Sequence, residues 1–293
     1  MTKYRQLIKS YGLVKFSLLA LDHVLFEIVK FFRKRLYRWT GNDFGLKEAI
    51  FWSKDISIYL RYSAILNELK THLLEPNNKL RILEVGAGGE GISRFLKYAG
   101  DFDKCQVYLA DTNPQLLEGV KFGKPVVIEG DNLPFEDDSF DVVISVDTLE
   151  HVPEPKREHF LHELKRVCKD TILMHFVMHD PQREFLSRNA DLRFQDWYMQ
   201  HFNKPHIWTA EHLKIEPPKS QEIEKALPDA FIKGTENIDV WFKCITWRAR
   251  PIIGFFTGFL YMLKLKHKYK QPPFHGCLVK WTTRMPISDS VLL

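Results

Sequence analysis

The sequence has few cysteines and no apolar segment long enough to cross a membrane, and each shortage excludes a class of protein. Its 293 residues hold four cysteines, at positions 105, 168, 244 and 277, without a CxxC pair or a His/Cys group at zinc-finger spacing. A disulfide scaffold and a structural zinc site are therefore not expected, and reduced thiols in a cytoplasmic protein are the simpler interpretation. The N-terminus shows no secretory signal pattern. With 45% hydrophobic and 27% charged residues, the chain can bury a large core.

Charge is distributed unevenly along the chain. Residues 1–40 carry a net charge of +7 and residues 241–288 one of +9, although the whole chain has only +5, which leaves an acidic body. The apolar run Pro251–Leu263 is shorter than the roughly twenty residues that a membrane-spanning helix needs. The basic, apolar ends, residues 1–40 and 251–270, predict peripheral contact with an anionic membrane face rather than a nucleic-acid surface. The alternative is that these helices cover the protein's own binding site.

Strand-like and helix-like segments alternate from Leu80 onward, which predicts an α/β fold with a doubly wound, mostly parallel sheet. The segments divide the chain into a helical N-terminal extension (1–78), the alternating core (79–179), an aromatic-rich insertion covering the active edge of the sheet (180–236), and a terminal part (237–293). The terminal part is expected to contain an antiparallel strand pair, Ile238–Trp247 and Gly276–Thr283, and an amphipathic helix at 251–267.

The sharpest local signal is the sequence Glu84-Val-Gly-Ala-Gly-Gly-Glu-Gly91, placed between a predicted strand and a predicted helix. Glycines there let the backbone approach a ligand, and the following helix offers free N–H groups. Asp111 ends the second strand about twenty residues later, where a carboxylate can accept both hydroxyls of a ribose. A tight structural turn and a capping aspartate are the alternatives for these two features.

Further segments follow in a fixed order: Glu129-Gly-Asp-Asn-Leu-Pro-Phe135, Ser139-Phe-Asp-Val-Val-Ile-Ser145 and Leu149-Glu-His-Val152. With all four motifs, the chain resembles the class I S-adenosylmethionine-dependent methyltransferases over roughly residues 80–177. The resemblance implies a seven-stranded Rossmann-like sheet and S-adenosyl-L-methionine as cofactor. It implies that the methionine part is held by Glu84, Gly86, Gly88 and Gly91, the ribose by Asp111 and the adenine by Asp131, Asn132 and Leu133. Ser145 and Asp147 would lie under the sulfonium and face the substrate.

The resemblance implies methyl transfer to a small or amphiphilic acceptor, with O-methylation favoured over N- or C-methylation. A lipid-linked glycan, a quinone-like ring and a lipid are the acceptor classes considered. A hydroxyl acceptor requires a base near the carboxyl ends of the strands, and His151, His179 and Asp180 are the candidates. No metal site is expected, because the spacing of His179, Asp180 and His201 matches no ligand pattern. A non-catalytic cofactor-binding subunit and a nicotinamide-dependent oxidoreductase remain the alternatives.

Overall fold

The computed structural model describes residues 61–70, 72–73, 79–89, 91–99, 101–130, 132–248 and 270–283. The first sixty residues, the predicted helix at 251–267 and Asp131 lie outside the described residues. The chain divides into two compact units. One unit, Arg61–Ile238 with Gln271–Leu293, contains the sheet. Of the other unit, Met1–Leu60 with Asp239–Lys270, the structure describes residues 239–248 and 270.

Strands and helices alternate through the first half of the sheet unit, as the sequence predicts. The strands of the described part are β1 (Leu80–Val85), β2 (Cys105–Asp111), β3 (Lys124–Val127), β4 (Phe140–Val146), β5 (Cys168–Val177), β6 (His179–Asp180), β7 (Phe185–Leu186), β8 (Phe231–Asn237) and β9 (Phe274–Thr282). The helices are α1 (described residues 61–70 and 72), α2 (Gly91–Ala99), α3 (Pro114–Leu117), α4 (Glu154–Val167), α5 (Ser187–Phe202), α6 (Ile207–His212), α7 (Ser220–Ala226) and α8 (Ile238–Arg248).

The sheet has the strand order β3-β2-β1-β4-β5-β9-β7-β6, and β8 also pairs with β9. Strands β1 to β5 are parallel to one another, and β9 runs antiparallel to β5, from Thr171 opposite Thr282 to Val177 opposite Gly276. The described sheet therefore has nine strands rather than the seven expected. The additional strands are β6 and β7, which form a hairpin of two residues each.

The core lies between the sheet and its helices. Strand β5 is buried throughout from Thr171 to Val177, as a central strand covered on both faces should be. Helix α4 buries Phe160, Leu161, Leu164 and Val167, which recur at intervals of one and three residues and so form one face. Burial of each such side chain stabilises the fold by about 1.5–3 kcal/mol. This packing fixes the positions from which the loops after β1, β2 and β4 project.

The expected strand Ile238–Trp247 is wrong, because these residues form helix α8. Val240 and Trp241 are buried while Asp239 and Lys243 are exposed. A strand would have placed Trp241 on the same face as those two charged residues, whereas helical spacing separates them. The partner of β9 is instead β8, a polar segment that lies almost wholly in the predicted insertion. Gly234 is required there, since a Cβ atom would lie 2.2 Å from the ring of Phe274.

The insertion between β5 and β8 contains α5, α6 and α7. Helix α5 carries most of an aromatic cluster in which Phe194 is buried and stacks on Trp197, with ring centroids 5.9 Å apart. Tyr198 lies 5.0 Å from the ring of His206. These contacts form a small satellite core within the insertion, and the expectation that the insertion covers the active edge of the sheet stays a prediction. Trp208 is not part of that core, because it is 63% exposed.

Candidate active site

The glycine loop joins β1 to α2 through three residues in left-handed backbone conformation. Gly86, Gly88 and Gly91 have φ angles of +76°, +63° and +44°. A Cβ atom on Gly86 would lie 2.1 Å from the hydroxyl of Thr148, and one on Gly91 would lie 2.0 Å from Glu84 Oε2. A Cβ atom on Gly88 would meet nothing within 4 Å. The loop therefore packs tightly against protein atoms at Gly86 and Gly91 and borders open space at Gly88.

Glu84 holds the loop from the end of β1. Its side chain is fully buried, and its oxygens accept hydrogen bonds from Tyr62 Oη at 2.6 Å and from the Ile92 N–H at 2.5 Å. Burial raises the pKa of Glu84 to about 7, although both hydrogen bonds favour the charged form. The sequence predicts contact with the methionine part of the cofactor, and the structure places both carboxylate oxygens on protein donors. Sequence reasoning missed Tyr62, which lies in the extension before the motifs.

Asp111 connects the end of β2 to the same loop. One carboxylate oxygen accepts the Gly88 N–H at 2.8 Å, and the other accepts the Asn113 N–H at 2.8 Å. An ionised carboxylate has about four acceptor positions, so each oxygen keeps capacity for a ligand hydroxyl. The side chain is 8% exposed and faces the open middle of the loop through Gly88. The ribose-binding role that the resemblance implies for Asp111 stays a prediction.

The loop after β3 is clamped by an ion pair on α4. Arg166 donates to the backbone carbonyls of Phe135 at 2.8 Å and Leu133 at 3.0 Å, and Glu163 accepts the Leu133 N–H at 2.9 Å. Arg166, through its hydrogen bonds, lowers the pKa of Glu163 to about 2. Leu133 is buried, while Asn132 is exposed and lies 3.0 Å from His159. No sequence pattern indicates this clamp, because a Glu and an Arg three residues apart are common on helix surfaces.

Strand β4 ends at a strained, charged residue. Asp147 has a φ angle of +53°, forms an ion pair with Arg61 of α1 and lies 3.8 Å from His175 Nδ1. Burial by itself favours the neutral carboxyl, but Arg61 and His175 hold the pKa of Asp147 well below its usual range. Ser145 is buried nearby, and its hydroxyl has no hydrogen-bond partner in the described part of the chain. Arg61 was not singled out in the sequence.

A cluster of histidines and carboxylates follows β4, and we call it the histidine cluster. The His151 and His212 rings lie 5.0 Å apart, His151 Nδ1 is 3.5 Å from Glu211, and His212 Nδ1 is 3.3 Å from Asp191. Burial and the neighbouring His212 lower the pKa of His151. Despite its burial, His212 has a raised pKa because of Asp191. Among these residues the sequence predicted a catalytic role for His151, and it indicated Glu211 only as a possible substrate contact.

Two further groups extend this cluster below the surface. His275 on β9 is buried between Asp191 and Glu236, with a ring nitrogen 3.3 Å from each carboxylate. Burial opposes its charge, but the two carboxylates raise the pKa of His275 to about 9. Glu150 is 3% exposed, and burial raises its pKa to about 7. One potential ligand atom from each of Glu150, His151 and His212 lies within 4.8 Å of the others.

The other two candidate bases lie in different surroundings. His179 is in the β6–β7 hairpin, where its backbone N–H donates to the Pro218 carbonyl and its pKa is lowered, chiefly by burial. Asp180 accepts a hydrogen bond from Ser220 at the start of α7. The structure therefore places His151 in the histidine cluster and gives His179 and Asp180 contacts with the insertion. Asp131 lies outside the described residues.

Comparison with known proteins identifies the core of this site. Residues 83–176 match the family described as "Methyltransferase domain", and this range contains the glycine loop, Asp111, the clamped loop and the end of β4. Over these residues the core is similar to a methyltransferase domain. Its cofactor is S-adenosyl-L-methionine, in agreement with the resemblance seen in the sequence. The open middle of the loop at Gly88 and the free acceptor capacity of Asp111 fit the adenosine part of that cofactor.

Two curated relatives come from Oryza sativa subsp. japonica. The chain is 32% identical over 127 residues to 2-methyl-6-phytyl-1,4-hydroquinone methyltransferase 2, chloroplastic, covering 38% of this chain and 35% of the relative. It is 31% identical over 139 residues to methyltransferase 1 of the same name, covering 42% and 40%. The chain thus spans well under half the length of these relatives. A solved structure, magnesium protoporphyrin IX methyltransferase from Synechocystis PCC 6803, is 13% identical with a TM-score of 0.45, covering 87% of this chain and 94% of that one.

Proposed function

We propose that the chain is an enzyme that transfers the methyl group of S-adenosylmethionine to a hydroxyl of a small or amphiphilic acceptor. The observation that carries the proposal is the placement of two sites at one edge of the parallel sheet. The glycine loop and Asp111 follow β1 and β2, and the histidine cluster begins directly after β4, which pairs with β1. In parallel sheets, ligands bind outside these carboxyl ends.

The cofactor supplies an activated methyl group on a sulfonium that is already a good leaving group. The protein's task is to align the acceptor with that methyl group and to keep water out. Asp111 and the glycine loop orient the nucleoside, while Leu133 packs beside the purine. Ser145 and Asp147 lie where β4 ends and face the acceptor. His151 is the first candidate for the base that takes the proton of the acceptor hydroxyl, and His179 and Asp180 are the alternatives.

The names of the relatives and an exposed apolar surface support the choice of acceptor class. The rice relatives are named for a hydroquinone that carries a phytyl chain, which is an amphiphilic phenol. On α6 of this chain, Ile207 is 75% and Trp208 63% exposed, and the same helix ends at His212 of the histidine cluster. An acceptor with a polar ring and an apolar tail would place the ring at the cluster and the tail along α6. A quinol-like ring is therefore our first choice of acceptor, ahead of a lipid or a lipid-linked glycan.

Contact with a membrane surface would deliver such an acceptor. None of the helices in the described part of the chain has the length and apolarity required to traverse a bilayer. The basic ends, residues 1–40 and 251–270, carry the attraction to anionic head groups in this proposal. Co-sedimentation with vesicles containing anionic lipid, lost at high salt, is the expected result. Absence of co-sedimentation at low salt would contradict membrane contact without affecting the proposed reaction.

The central test uses methyl-labelled cofactor. Purified protein is incubated with it and with membrane or metabolite extracts, and the labelled product is identified by mass spectrometry. We expect a labelled methyl ether, lost in Asp131→Ala and Asp111→Ala with the fold retained. The variants His151→Ala and His179→Ala then separate the candidate bases. Calorimetry should register binding of S-adenosylhomocysteine and none of NAD, and no heat with S-adenosylhomocysteine would refute the proposal.

A further inference from the structure

The three ligand atoms of the histidine cluster come from two separate parts of the chain. Glu150 and His151 follow β4, and His212 ends α6 in the insertion, sixty-one residues after His151. One atom from each lies within 4.8 Å of the other two. Two imidazoles and one carboxylate form a ligand set that binds first-row divalent metals and leaves coordination positions open.

Glu150 provides an independent indication of a missing partner. Its side chain is 3% exposed, and Oε1 accepts the Val177 N–H at 3.4 Å. Its other oxygen, Oε2, has no hydrogen-bond partner in the described part of the chain. A buried carboxylate oxygen without a donor is costly, so such groups in proteins are hydrogen-bonded, take up a proton or bind a metal. A cation beside Oε2 would remove that cost.

A carboxylate lies beside Nδ1 of each of the two histidines. His212 Nδ1 faces Asp191 at 3.3 Å, and His151 Nδ1 faces Glu211 at 3.5 Å. In metal sites a carboxylate beside one ring nitrogen commonly orients the imidazole, so that the other nitrogen binds the ion. Asp191 is itself held by His275, so the support of His212 is buried and rigid.

Charge also favours a cation at this place. The cluster contains the carboxylates of Glu150, Asp191, Glu211 and Glu236 together with three imidazoles, while Arg61 is matched by Asp147. A divalent ion beside Glu150 would supply counter-charge to these carboxylates.

We propose that Glu150, His151 and His212 bind one first-row divalent metal ion of the zinc class. Binding of the ion does not depend on the proposed reaction. Its use does rest on the proposed function: an open coordination position would take the acceptor hydroxyl and lower its pKa, as bound metal does for water. In that case His151 would hold the ion and would not itself take the proton of the acceptor. The proton released from the acceptor passes to solvent.

The first experiment measures metal binding alone. The full chain, with any affinity tag removed and any metal stripped by a chelator, is titrated with zinc chloride by calorimetry, and its cobalt(II) form is examined by visible absorption. We expect one ion per chain with micromolar or tighter affinity and absorption bands of a low-symmetry cobalt site. Glu150→Gln and His212→Ala should each weaken binding at least about tenfold. His201→Ala is the matched control, because His201 is exposed and its contacts in the described structure are with Trp197.

Circular dichroism checks that each variant folds, and Glu150→Gln keeps the shape of the side chain if His212→Ala does not fold. Absence of zinc binding by the folded wild type overturns the proposal. So does equal affinity in Glu150→Gln and wild type. Methyl transfer lost on chelation and restored by zinc supports the role at the acceptor. Transfer unaffected by chelation overturns that role while the proposed function stands, and zinc binding without any transfer supports the site while the proposed function fails.

Discussion

Glu84→Gln is the perturbation that most directly tests how the glycine loop is held. The amide has the shape of the carboxylate, so its oxygen can still accept the Ile92 N–H while its NH₂ group donates to Tyr62 Oη. The substitution therefore removes the titration of residue 84 with little change in packing. Any difference in the pH dependence of stability between the two proteins then reports the ionisation of Glu84.

The magnitude follows from the pKa of Glu84, which burial raises from an ordinary value of 4.5 to about 7. Between these values the folded state binds more protons than the unfolded state, so stability falls as pH rises. The contribution is fully present below pH 4.5 and lost as pH rises through about 7. Between about pH 5 and pH 8.5, wild type should lose roughly 2–3 kcal/mol of unfolding free energy relative to Glu84→Gln.

Urea unfolding followed by tryptophan fluorescence measures this difference, since other titrating groups are common to both proteins. Glu163→Gln is the control: with a pKa lowered to about 2, Glu163 is ionised across the whole range. Its stabilising contribution is lost only as pH falls from about 4.5 through 2, so its variant should run parallel to wild type. If Glu84→Gln also stays parallel within about 0.5 kcal/mol, the carboxylate does not titrate there and the burial argument is wrong.

Two further substitutions test the cofactor loops. Gly91→Ala places a Cβ atom 2.0 Å from Glu84 Oε2 at a φ angle of +44°, and should lower the free energy of unfolding by more than about 2 kcal/mol. Gly88→Ala meets open space and should lower it by only about 1 kcal/mol. Thermal unfolding measures both. Equal losses would show that the contact with Glu84 is not what requires a glycine. Arg166→Gln frees two loop carbonyls and should weaken S-adenosylhomocysteine binding roughly five- to tenfold in calorimetry. The neighbouring Lys165 contacts the ring of Trp281, so the control variant Lys165→Gln should leave that affinity unchanged. Equal affinity in Arg166→Gln and Lys165→Gln would contradict the role given to Arg166.

The sequence alone determined the elements whose signals are local. Buried strand β1 begins and ends where its apolar run predicts, at Leu80 and Val85, and the glycine loop follows it at once. These features depend on residue type and short spacing, because a parallel strand is apolar throughout and left-handed backbone favours glycine. Asp111 was recognised for the same reason, since its place is fixed by the end of β2.

Only the tertiary structure decided which distant residues meet. Arg61 joins Asp147 across eighty-six positions, and the histidine cluster combines His151 with Asp191 and His212 from the insertion. Segment 231–237 has too little apolar patterning to be recognised as a strand, and pairing with β9 makes it one. Contacts of this kind depend on how strands and helices pack, and hydrophobic periodicity carries no information about which polar side chains that packing brings together.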